Sequence, residues 1–166
     1  GVLVALETAS RHPERVAALT LIAGAMAIPV NDALIEMSQS APEKAFRMMT
    51  SWGHGPGAHK FDNTQPGHAF LGYGRRVMAQ NDGAALHADL VACNSYDGGK
   101  DAAASVTQPS LCLLAGKDKM TPVKFGRKMA ERISGAQCHV FERAGHFLPA
   151  EFPIEVNDAM AAFLSR

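Results

Sequence analysis

The sequence predicts an α/β fold built on a short parallel sheet. Three observations carry this. Segments 16–23 (VAALTLIA), 110–115 (SLCLLA) and 137–141 (QCHVF) have strand length, and the first two are nearly continuous apolar runs. Elsewhere apolar residues recur at helical spacing. The resulting order is helix–strand–helical block–strand–helix–strand–helix, the alternation that parallel strands require.

Each element follows from local pattern. Val2, Ala5, Leu6 and Ala9 keep the i, i+3, i+4, i+7 rule, so residues 2–11 read as a helix that Pro13 ends. Segment 16–23 follows as a strand with both faces covered. Val30, Ala33, Leu34 and Met37 mark a short amphipathic helix; Ala45, Met48, Met49 and Trp52 mark another beginning near Pro42. Residues 53–68 are rich in Gly, Pro and His and read as an exposed loop. Further helices are expected over 69–80 and 84–93, and residues 101–106 finish another short one. Thr121 is placed to cap the next helix, with Pro122 at its first position and Phe125, Met129 and Ile133 on its inner face. Pro153 starts the last helix, with Val156, Met160, Phe163 and Leu164 inward.

Composition narrows the function classes. The 16 basic and 16 acidic residues cancel, which argues against a nucleic-acid or anionic-membrane partner. No apolar run approaches the ~18 residues of a membrane span, and residues 1–6 lack the basic start and cleavage site of a signal peptide. Cys93, Cys112 and Cys138 form no CxxC pair. Cys112 and Cys138 read as small core residues, and the dispersed set accords with a reducing cytoplasm. The histidines His54, His59, His68 and His87 show no HxH or HExxH spacing, so no metal site is expected. No glycine loop of nucleotide-binding type occurs.

Chemistry concentrates at two strand ends. In an open parallel sheet, functional groups sit on loops leaving the carboxyl ends of strands. Segment 110–115 is followed by Gly116-Lys117-Asp118, and segment 137–141 by Ala144-Gly145-His146. Neighbouring strands lie about 4.8 Å apart, which lets the two side chains meet. A carboxylate accepting from an imidazole N–H fixes the ring's tautomer and stabilises it when protonated. Taken singly, Asp118 also reads as a turn residue and His146 as a structural histidine; the pair on successive strand ends is the specific signal. Lys117 and Lys119 read as solvated loop charges.

The segments RHPERVAALTLIAGA (11–25), GKDKMTP (116–122) and AGHFLPAEFPIEVNDAMAAFL (144–164) resemble the α/β-hydrolase superfamily, in its small esterase, lactonase and dehalogenase-like branch. The resemblance runs along essentially the whole chain. It implies the C-terminal part of that fold, with three parallel strands, flanking helices and a helical cap insertion. Residues 1–25 would be the helix after the nucleophile elbow plus the first core strand. Residues 26–96 would form the cap, and 97–166 the C-terminal core. By resemblance Asp118 is the triad acid and His146 the base. Trp52, Phe147 and Leu148 are expected to touch an apolar ester-like substrate, with Phe70, Tyr73 and the block's methionines as further walls. No cofactor is implied.

One departure stands out. The family's G-x-S-x-G elbow is absent from residues 1–166. Alignment from Arg11-His12-Pro13 puts the nucleophile two or three residues before Gly1. The resemblance therefore implies an ester hydrolase whose Ser lies upstream, in a chain inactive by itself. Two alternatives stay open: a non-catalytic piece or split half needing a partner chain, and a same-fold dehalogenase or acyltransferase. Strand 16–23 would lack its preceding neighbour, an edge open to self-association.

Overall fold

The computed structural model describes residues 1–59 and 69–165. Part of the expected 53–68 loop, with His68, lies outside the described residues, as does the side chain of Phe70.

Strands β1 (Leu19–Ile22), β2 (Ser110–Ala115) and β3 (Gln137–Phe141) form a parallel sheet in the order β1-β2-β3. In register, Leu19 lies beside Ser110 and Ala115 beside Phe141. The predicted strand 16–23 shortens to four residues. Leu19 N–H donates to Pro109 O, and Pro109 has no N–H to carry the ladder further back. At the other end Ala23 turns out of the strand with φ 47°.

Helix α1 (Val2–Arg11) precedes β1. A helical block separates β1 from β2: α2 (Asp32–Ser40), α3 (Pro42–Gly53), α4 (Phe70–Met78) and α5 (Gly83–Ser95). Helix α6 (Gly99–Ser105) leads into β2. Helix α7 (Val123–Arg132) crosses to β3, and α8 (Leu148–Glu151) and α9 (Pro153–Leu164) close the chain. The short α8 was not expected from the sequence. No described helix is long and apolar enough to cross a membrane.

Strand alternation divides the core. Cys112 and Leu114 of β2 face Leu6 on α1, Ala103 on α6, Val106 just after it, and Met129 on α7. Leu111, Leu113 and Ala115 face the other way, against Phe141, Leu148, Val156 and Phe163. A third cluster sits inside the helical block, where Leu34, Ala45, Met49 and Leu90 are buried. Met37, Met48, Trp52 and Met78 pack on it, together with Met120 from the loop after β2.

Several expectations are corrected. Thr121 does not cap α7, whose N-cap is Pro122 without a side-chain hydrogen bond. Phe125 is exposed, because α7 approaches the sheet through Gly126. A Cβ there would lie 2.6 Å from Leu114 Cδ2, so the buried stripe is Gly126, Met129 and Ala130. Leu164 and Tyr73 are exposed. Cys112 is buried, and desolvation pushes its thiol up to about 12. Cys138 is exposed instead, on β3, which pairs only with β2 among the described residues. β1 likewise pairs on one side only, and its burial alternates rather than being continuous.

Candidate active site

The two loops expected to carry chemistry leave adjacent strands and are pressed together. Gly116 N–H donates to Phe141 O at 2.9 Å and Lys117 N–H to Ala144 O at 2.8 Å. A Cβ on Gly116 would lie 2.6 Å from Glu142 O, so only glycine permits this approach. Lys117 and Lys119 point outward as exposed side chains.

This clamp brings Asp118 and His146 together. His146 Nδ1 lies 2.9 Å from Asp118 Oδ2. The Asp118 side chain is fully buried, while that of His146 is 27% exposed. The other carboxylate oxygen, Oδ1, accepts the N–H groups of Met120 and Thr121, each at 2.8 Å. Burial pushes the Asp118 carboxyl upward. The hydrogen bond and charge of His146, with the N–H and hydroxyl of Thr121, outweigh that and hold it below its ordinary value. The carboxylate is therefore anionic and fixed, and Nε2 is the ring nitrogen left to take a proton.

Thr121 is the site residue that sequence reasoning misassigned. Its hydroxyl lies 2.8 Å from Asp118 Oδ2, 2.7 Å from Ala23 O and 3.2 Å from His146 Nδ1. The one hydroxyl hydrogen is shared between the carboxylate and the carbonyl. Ala23 is the residue in the left-handed region, which costs a non-glycine residue about 1–2 kcal/mol. Thr121 thus ties the acid to the strained end of β1. The available signal was its position three residues after Asp118, read as a helix start because Pro follows. Replacing Thr121 with valine keeps the shape and removes the hydroxyl. It should lower unfolding free energy by about 1–3 kcal/mol in urea titration; an unchanged value would contradict this linkage.

The structure distributes the remaining expected site residues unequally. A cavity of about 890 Å³ is lined by His146, Thr121, Met120 and Trp52, with Leu34 and Met49 of the helical block among its other walls. Trp52 and His146 are thus brought to one cavity. Phe147 instead sets its ring 4.7 Å from that of His54, against Gly53. Leu148 is 0% exposed in the core beneath the sheet. The expectation that Leu148 touches substrate is corrected, because the turn after His146 enters α8 and drives that side chain inward. Asn94 serves the block itself, accepting the N–H of Val30 at 2.9 Å.

Comparison with known proteins gives a consistent result. The family profile described as the alpha/beta hydrolase family matches residues 1–159. No curated protein matches the chain. Among solved structures, an esterase from Exiguobacterium antarcticum is similar over 100% of this chain and 64% of its own, at 19% identity and TM-score 0.86. A thermophilic esterase is similar over 99% of this chain and 62% of its own, at 26% identity and TM-score 0.81. The enol-lactonase from Burkholderia xenovorans LB400 is similar over 99% and 62%, at 18% identity and TM-score 0.87. The chain therefore spans less than two thirds of the length of these solved relatives.

Proposed function

The chain belongs to the alpha/beta hydrolase family, and on that premise we propose that it carries the acid–base half of an ester hydrolase. The observation that carries this reading is the 2.9 Å contact between a buried carboxylate and a histidine at the edge of a largely apolar cavity.

In this reading a serine upstream of Gly1, in the full-length protein, attacks the ester carbonyl. Its hydroxyl proton passes to His146 Nε2 as the Oγ–carbon bond forms. Asp118 holds the Nδ1–H and stabilises the imidazolium. The same proton then goes to the leaving alcohol as the ester C–O bond breaks. Water repeats the cycle on the acyl-enzyme, with His146 again taking and returning a proton. Residues 26–96 form a cap over the cavity, Trp52 is a wall, and an apolar acyl or ring group fits the lining. No serine lines the cavity among the described residues, which supports placing the nucleophile upstream. The three cysteines are free, and we place the protein in the cytoplasm.

Fluorophosphonate labelling of the full-length protein tests the assignment. The label is expected on a serine just before Gly1, and the chain of residues 1–166 is expected to stay unlabelled. A label mapped to a serine within 1–166 would overturn it. So would an aspartate at the elbow with no labelling, which would favour dehalogenation.

A further inference from the structure

Glu151 is the buried-side carboxylate that the proposed chemistry does not use. It sits at the end of α8, half-buried, three residues after core-anchored Leu148 in a helix only one turn long. Its hydrogen bonds make its role concrete: Glu151 Oε2 accepts the N–H of Gly55 at 3.0 Å, and both its oxygens accept the N–H of Gly145, at 3.1 and 3.2 Å.

Those two amides belong to different parts of the molecule. Gly145 immediately precedes His146. Gly55 lies two residues beyond the end of α3, at the foot of the helical block. The two backbones touch: a Cβ on Gly145 would lie 2.2 Å from Gly55 N. Phe147 N–H donates to Gly53 O at 2.9 Å on the same seam. Burial pushes the Glu151 carboxyl upward, the nearby Asp118 adds to this, and the two glycine N–H groups and His54 oppose it. A carboxylate close to another is unfavourable by itself, so what Glu151 contributes is an acceptor for two amides that cannot reach each other.

We propose that Glu151 is a positioning residue for His146: its carboxylate joins the amide before His146 to the amide at the foot of the helical block, so that block and base are held as one unit. This rests on the reading of His146 as the catalytic base.

The test compares Glu151→Ala, Glu151→Gln and His146→Ala in the full-length protein, by ester turnover and by amide hydrogen exchange. Glu151→Ala is expected to lower kcat by roughly 10- to 100-fold with KM nearly unchanged, as a displaced catalytic group does. It should also speed exchange in both 53–59 and 143–147. Glu151→Gln keeps a carbonyl oxygen able to take both N–H groups, as Oε2 does, and should restore kcat and exchange to near wild type. The proposal is overturned if Glu151→Ala leaves kcat unchanged while His146→Ala abolishes turnover. Failure of Glu151→Gln to rescue, or faster exchange in one segment only, overturns it too. Unchanged turnover in His146→Ala would instead refute the underlying reading. Should Glu151→Ala not fold, Glu151→Asp decides: its shorter reach is expected to lower kcat, and wild-type kcat would overturn the proposal.

Discussion

Replacing His146 with alanine in the full-length protein is expected to lower ester turnover by about 10³-fold or more. The expected size follows from the geometry. Nδ1 is engaged by Asp118 at 2.9 Å, so Nε2 is the group that can take the nucleophile's proton. Without the ring, the serine hydroxyl must attack with its proton in place, and the leaving alcohol departs without an acid. The fold should tolerate the change. His146 is partly exposed on a loop, and the loop is held by backbone hydrogen bonds from Lys117 and Phe147 and by the Glu151 carboxylate on Gly145 N–H, none of which uses the imidazole. Turnover measured beside a thermal unfolding curve separates the two effects. Near-normal turnover in a folded variant would refute the role of His146.

Replacing Asp118 with asparagine is expected to lower turnover by a similar factor, for a different reason. The amide oxygen can still accept from Met120 and Thr121, as Oδ1 does at 2.8 Å. The amide nitrogen then faces His146 and donates where the carboxylate accepted. His146 must present Nδ1 as an acceptor and carry its proton on Nε2, where it blocks general-base action; about 10³–10⁴ in rate is the expected cost. The variant also changes acid stability. The folded Asp118 carboxyl titrates below its ordinary value. Its ionisation therefore contributes stability that is fully present above about pH 4 and is lost as pH falls through the lowered folded value. Urea unfolding from neutral to acid pH should show a shallower acid decline in Asp118→Asn. Equal declines and wild-type turnover would contradict the assignment.

Much of this arrangement is legible in the sequence because local signals agree with the tertiary ones. Segments 110–115 and 137–141 are strands to the residue. The first is apolar after Ser110 and lies between Pro109 and Gly116, whose chemistry forces the chain to turn. Pro42 and Pro153 mark the first residues of α3 and α9, where a missing N–H costs nothing. Asp118 and His146 stand out because parallel strands deliver their loops to one edge of the sheet.

What escaped was set by partners distant in sequence. Thr121 looked like a cap because its true acceptor, Ala23 O, is 98 residues away. Phe125 looked inward because helical spacing does not reveal that Gly126 makes the close approach. Leu148 looked like a substrate contact until α8 turned it into the core, and Cys138 looked buried although it lies on an edge strand. Glu151 carries no motif at all. Its role depends on two glycine amides, one of them 96 residues away.

The most direct measurement of the acid–base pair is the imidazole ¹⁵N NMR spectrum of His146, recorded where the ring is neutral. A proton on Nδ1 and a bare Nε2 are expected in the wild type, with loss of that pattern in Asp118→Asn. A neutral ring protonated on Nε2 in the wild type would contradict it.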